Sequence, residues 1–268
     1  MEEEKNNFKC NTNMISPLAY VDPEAKLGKN VIVQPFAYIE KGVEIGDDCI
    51  IMSFASILKG TRMGKGNKVH QHAVLGAEPQ DFQYTGEDSL LIIGEHNDIR
   101  ENVVISRGTH ADHATQIGNK NYLMDKVHLC HDVQIGNGCV VGIGTTIAGE
   151  CVLDDYAILS GNVTLHQYCH IGSWTLIQSG CRISKDVPPY IIMSGNPAAY
   201  HGVNAVVLSH HNKTERVLRH IANAYRLIYQ GNFSIQDAVQ KIIDQVPMSE
   251  EIEDIVKFVR ASEKGIVR

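Results

Sequence analysis

Aromatic side chains are scarce in this 268-residue chain, with six Phe, ten Tyr and one Trp making up 6% of it. A globular enzyme of this size usually packs more rings, so the core is expected to be thin layers of aliphatic residues. Cysteine is present seven times, an odd number, and never as a CxxC pair. That excludes a disulfide framework and the common zinc motifs, and the thiols read as reduced, small apolar fillers. Positive charge is in deficit, with a formal net charge of −7, which argues against a general nucleic-acid or anionic-membrane surface. No apolar run approaches the roughly 18 residues that a membrane span requires. The opening MEEEKNNFKCNTN is acidic and polar, the opposite of a secretory signal. Residues 1–13 are therefore expected to be a polar extension, with the fold starting at Met14 and the protein residing in the cytoplasm.

What the chain does have is a clock of six. Stepping by six from Ile15 through Val21 and Leu27 to Ile183, 26 of 29 positions are aliphatic or Met, and only Asp81, Glu87 and Ala111 break the series. A second column two residues earlier, including Ala37, Cys49, Ala55, Val127 and Cys139, is small or β-branched, and Gly often follows the large residue. Helices repeat near 3.6 residues and simple strands at 2, so neither explains this pattern. A unit of six with one large and one small inward residue fits a short strand ending at a corner. Three units would close a triangular coil of 18 residues, each coil stacking about 4.8 Å on the last. The alternative, a β-sandwich with accidental spacing, conflicts with the irregular loops such folds carry.

Two stretches interrupt the clock without changing its phase, residues 76–90 (GAEPQDFQYTGEDSL) and 107–116 (RGTHADHATQ). Long excursions from a regular scaffold are commonly functional loops, although a tolerated surface insertion is the plainer reading. The hexads run to about residue 190, where Pro188 and Pro189 are expected to stop ladder pairing. Residues 191–268 then form a small helical domain, with SGNPA making the turn. Helices are expected from about Lys213 to Gly231, over 234–246 and over 249–261, the last two capped by Ser234 and Ser249.

If one coil is 18 residues, His131 lies one rung from Gly149, Asp132 from Glu150, and His128 from Thr146. Leu129 points inward, so His131 should face out. An imidazole can take a proton near neutral pH, and a bare Gly can offer its N–H to an oxyanion. The plain alternative is that His131, one of 13 His, is a solvated rung. A metal site using His128, Cys130 and His131 fits less well, because side chains on a coil corner diverge, and no metal is expected.

The run LMDKVHLCHDVQIGNGCVVGIGTTIAGECVLDDYAILSGNVTLHQYCHIG, residues 123–172, resembles the acyl-carrier-protein:UDP-N-acetylglucosamine O-acyltransferases, within the wider hexapeptide-repeat transferases. MISPLAYVDP, GAEPQDFQYTGE, IRENVVISRGT, DVPPYIIMSGNPAAYHGVN, NAYRLIYQG and ASEKGIVR extend the similarity over most of the chain. The resemblance, and not the period, implies a left-handed parallel β-helix, against the usual right-handed crossover rule. It implies transfer of a (R)-3-hydroxyacyl chain from acyl carrier protein to the 3-hydroxyl of UDP-N-acetylglucosamine, the first step of lipid A biosynthesis, by a homotrimer without a cofactor. His131 would be the general base, Asp132 its orienting partner, and the Gly149 N–H the oxyanion donor. Asp81, His128, His166, Gln167, Asn204 and His211 would hold sugar, nucleotide or donor, and Ser179 beside Gln178 would measure the acyl chain. Basic residues of the helices, among them Arg216, Arg219 and Lys264, would meet the acidic carrier.

The sequence departs from the family at Ser106 and Glu150, each in place of a His, at Gln83 in place of a Lys, and at His210 and His211 in place of an Arg pair. Neutral His is a poor substitute for guanidinium at a phosphate. A 3-amino sugar acceptor, a related N-acyltransferase and a non-catalytic hexapeptide scaffold stay open. The hexads begin by Ile15, so no N-terminal uridine-binding domain is expected, which counts against the second.

Overall fold

The computed structural model describes residues 12–268, so the extension expected over residues 1–13 lies outside the described residues except for its last two. From Met14 the chain winds as a left-handed parallel β-helix with three flat faces. The first sheet has eleven strands and starts at Met14–Ile15, the second has nine and starts at Tyr20–Val21, and the third has eight and starts at Lys26–Leu27. Most strands are two residues long, and their second residue is the large aliphatic of the six-residue clock. Ile39, Ile51, Leu75, Leu129 and Ile147 all have 0% exposure, and the small column behind them, with Ala55, Cys139 and Cys151, is equally buried. Truncating one such aliphatic to Ala would cost about 2–5 kcal/mol.

Register shows why the insertions leave the phase intact. Uninterrupted coils pair residues 18 apart, as in Ile32↔Ile50 and His128↔Thr146. Across the first insertion Val74 pairs with Val104, a step of 30, and across the second Val104 pairs with His128, a step of 24. The additions are 30 − 18 = 12 and 24 − 18 = 6 residues, whole numbers of hexads. Each corner places the third residue after the aliphatic in the left-handed region. Gly does this freely at Gly42 (φ 71°) and Gly138 (φ 66°), whereas Asp132 (φ 58°) and Tyr168 (φ 64°) are held there by the stacked coils.

The thiols fill space. Cys49, Cys139, Cys151, Cys169 and Cys181 are buried and unpaired. Burial pushes the Cys139 and Cys151 thiols up to about 12 and Cys169 to about 11, so they carry no thiolate at neutral pH.

Pro188 and Pro189 do not end the ladder as expected. They sit in a connection, after which Ile191–Ser194 pairs in parallel with Leu176–Ile177 and in antiparallel with Ala199–Val203. The missing N–H groups fall outside the paired residues, so pairing resumes. Four helices follow: α1 (Ala205–His210), α2 (Glu215–Tyr229), α3 (Ile235–Gln245) and α4 (Glu250–Ala261). The expectation began at about Lys213 and missed α1, whose single buried side chain, Leu208, gives no periodic face to detect. Ser234 caps α3 by accepting from the Asp237 N–H. Ser249 occupies the N-cap of α4, but its hydroxyl donates to the Glu251 carboxylate and makes no cap bond. The helices dock on the last coils: the Tyr225 hydroxyl donates to the Pro189 carbonyl and the Tyr190 hydroxyl to Asp254. No described helix is long and apolar enough to cross a membrane.

Candidate active site

Leu129 packs inward, so His131, two residues on, projects from the edge between the second and third sheets. The ring faces out of the coil, yet His131 is only 6% exposed, because both insertions close over it. Its Nδ1 lies 2.9 Å from Asp132 Oδ2 and its Nε2 lies 3.3 Å from Asp81 Oδ2, a residue of the first insertion. An ionised carboxylate cannot donate, so the short contact places the ring proton on Nδ1 and leaves the Nε2 lone pair toward Asp81.

Asp132 is itself over-determined. Its carboxylate accepts from the Thr109 hydroxyl at 2.8 Å and from the Thr109 N–H at 3.2 Å, while its own N–H donates to Thr115 Oγ1 at 2.8 Å. His113 Nδ1 stands 3.4 Å from its second oxygen. All three of these residues belong to the second insertion. Sequence reasoning missed them, because only the position of the insertion, one coil before His131, hinted at their place.

Gly149 stacks beside the ring, and a Cβ there would lie 2.6 Å from His131 Nε2. Glycine is therefore a requirement of the packing. At the matching corner position of some other coils, side-chain oxygens take the main-chain N–H: Lys29 donates to Asp47, Lys59 to Glu40 and Asn137 to Asp155. Among the described residues no such group reaches the Gly149 N–H, although Gly149 is buried. The edge thus presents an imidazole nitrogen and an unshared backbone donor one rung apart. Together they can remove a proton from a hydroxyl and hold an anion.

Other expected site residues divide between two further places. His128 lies on the outer face of the second sheet, paired with Thr146, and burial pushes its ring below the usual imidazole value. His166 and Gln167 follow on the same edge as His131: His166 Nε2 accepts from Arg182 Nε at 2.9 Å, and the Gln167 carbonyl accepts from Lys264 Nζ at 2.6 Å. Glu150 accepts from the Tyr168 hydroxyl, and its charge raises the phenol above its usual value.

Asn204 and His211 do not join them. Asn204 is 1% exposed and its Nδ2 donates to the Trp174 carbonyl, while the His211 ring lies 4.5 Å from the Trp174 ring. Trp174 stands between His170–Ile171 and Leu176–Ile177, on the edge joining the third and first sheets. Gln178 and Ser179 are exposed on the remaining edge, just after Leu176–Ile177. The set therefore spans three edges of one prism. Among the described residues no group of three His, Cys, Asp or Glu side chains is arranged to hold a metal ion.

Residues 186–267 match the family described as Udp N-acetylglucosamine O-acyltransferase, Domain 2, and residues 42–77 and 114–149 match the bacterial transferase hexapeptide repeats. The chain is 40% identical over 257 residues to the acyl-[acyl-carrier-protein]–UDP-N-acetylglucosamine O-acyltransferase of Pseudomonas putida, covering 96% of this chain and 100% of that one. It is 42% identical to the protein of the same name from Pseudomonas fluorescens, with the same coverage. Among solved structures, LpxA, a UDP-N-acetylglucosamine acyltransferase from Bacteroides fragilis, superposes with a TM-score of 0.94 at 52% identity, covering 95% of this chain and 100% of that one. LpxA from Acinetobacter baumannii superposes with a TM-score of 0.92 at 33% identity, with the same coverage.

Proposed function

The chain belongs to the acyl-carrier-protein–UDP-N-acetylglucosamine O-acyltransferase family, and on that premise we propose that it moves a (R)-3-hydroxyacyl chain from acyl carrier protein to the 3-hydroxyl of UDP-N-acetylglucosamine, in the cytoplasm, as the first step of lipid A biosynthesis. The observation that carries the reading is the edge on which His131, Asp132 and the unshared Gly149 N–H meet.

His131 acts as the base. The acceptor's 3-hydroxyl docks against Nε2 with Asp81 alongside, its proton passes to Nε2, and its oxygen attacks the thioester carbonyl. Asp132 holds the ring tautomer and stabilises the imidazolium that forms. The Gly149 N–H donates to the oxyanion of the tetrahedral intermediate. Collapse breaks the carbon–sulfur bond, and the departing thiolate takes the proton back from Nε2. Asp81 accepts a hydrogen bond from the sugar, while His128, His166 and Gln167 line the donor's path along the same edge.

Asn204 and His211 lie on a different edge of the prism, so they serve the nucleotide in the site of a neighbouring copy, and the working unit is a homotrimer. The first sheet supports this arrangement. Its outward residues include two apolar stretches, Ile32 with Ile50 and then Val140, Ile158, Leu176 and Ile192, parted by Lys68, Asp98 and Tyr122, and a single chain leaves both stretches half-covered.

The test is direct. Purified protein is mixed with UDP-N-acetylglucosamine and 3-hydroxyacyl carrier protein, and the acylated nucleotide sugar is sought by mass. The 3-amino analogue is run in parallel. An ester product supports the reading, an amide product alone moves the acceptor to the amino sugar, and no product in either arm rejects it.

A further inference from the structure

We infer that Arg107 is a positioning residue for the acceptor sugar, bracing the first insertion so that Asp81 stays on His131; the inference rests on the function proposed above. Arg107 is the residue at which the second insertion leaves the coil, and its side chain is only 10% exposed. Its Nη1 donates to the Gly76 carbonyl at 3.0 Å and its Nη2 to the Tyr84 hydroxyl at 2.5 Å, while its own N–H donates to the Ala77 carbonyl at 3.0 Å. Gly76 is where the first insertion departs, and Tyr84 stands three residues beyond Asp81. The guanidinium therefore spans the loop from its foot to its turn.

The turn links the brace to the site. The Tyr84 N–H donates to the Asp81 carbonyl at 3.2 Å, and Asp81 Oδ1 accepts from the Gln83 N–H at 2.8 Å. Asp81 Oδ2 is thereby left to face His131 Nε2. A path of hydrogen bonds runs from Arg107 through Tyr84 to the backbone carbonyl of Asp81, the residue whose carboxylate meets the acceptor.

Charge pairing does not explain why this arginine is buried. Glu78 is 3.4 Å from Nη2 but is itself 75% exposed, so that ion pair contributes little. A buried guanidinium is retained here by two neutral acceptors placed apart, which a planar fork can reach together and an ammonium cannot. The tie at the far end of the loop, Lys59 to Asp88, lies between two exposed side chains and is a weak substitute.

Arg107→Lys and Tyr84→Phe test the brace, the second removing a single oxygen so that folding is preserved. Steady-state rates are measured with UDP-N-acetylglucosamine varied at saturating donor and the reverse, alongside hydrogen exchange of the amides between residues 79 and 88. Arg107→Lys should raise the acceptor KM about tenfold, the worth of one charge-assisted hydrogen bond, with donor KM unchanged and kcat within about threefold. Loop exchange should accelerate in both variants, less in Tyr84→Phe. An unchanged acceptor KM, or a raised one with loop exchange at the wild-type rate, overturns the inference. Failure of the wild-type protein to acylate the sugar would instead overturn the proposed function, and the exchange measurement would still decide whether Arg107 holds the loop.

Discussion

Asp81 Oδ2 stands 3.3 Å from His131 Nε2, on the side of the ring where a proton must arrive. With the ring proton on Nδ1, this contact is not a hydrogen bond. The acceptor sugar satisfies both groups when its 3-hydroxyl donates to Nε2 and a second group of the sugar donates to Asp81. Asp81→Ala should therefore raise the acceptor KM by about 10–100-fold, the range for a hydrogen bond to a charged group, while kcat changes less. Rates measured at varied UDP-N-acetylglucosamine check the split. An unchanged KM would place Asp81 outside the acceptor's seat.

Gly149→Ala should lower kcat by about 10²-fold or more, because it displaces the general base. Its Cβ would stand 2.6 Å from His131 Nε2, so the ring must move. The core is untouched, and the melting temperature should stay within a few degrees. A variant with normal kcat would show that turnover does not depend on the ring's place against Gly149.

Much of this was legible in the sequence, for identifiable reasons. Leu129 announces an inward position, so His131 is assigned to the edge and Gly149 to the next rung by counting 18. The insertions add whole hexads, 12 and 6 residues, and that is why the phase could be followed past them. What the insertions do at the site was not legible. The contacts of Asp81, Thr109 and His113 with the His131–Asp132 pair come from loops with no period. The burial of His131 followed from the same loops and was missed with them. Asn204 and His211 carried the right residue types, but only the structure shows that they sit beside Trp174 on another edge.

Reversing Arg216 and Arg219 to Glu should raise the KM for the carrier-bound donor and leave that for the nucleotide sugar unchanged. Both lie on α2, exposed and free of ion pairs among the described residues, whereas Lys213 is committed to Glu251 and Lys264 to the Gln167 carbonyl. The chain's net charge of −7 works against an acidic carrier, so a local basic face must offset it, and the effect should shrink at high salt. Equal donor KM values in variant and wild type would remove these two residues from the docking face.

Ser179→Met should shift preference toward shorter donors. Ser179 is small and exposed on its edge beside Gln178, which leaves room for a chain of about 14–16 carbons, each buried CH₂ contributing roughly 0.8 kcal/mol. A two-carbon step should then change selectivity about tenfold. A donor series with the wild-type preference would mean that the chain ends elsewhere.

The most direct measurement is turnover by His131→Ala, with assembly and melting temperature recorded on the same preparation. The ring lies outside the coil's core, so the variant should keep the wild-type fold and assembly state. Its kcat should fall by about 10²–10⁴-fold, the usual contribution of a general base. Wild-type turnover by a folded His131→Ala variant in the wild-type assembly state would contradict the assignment of His131 as the base.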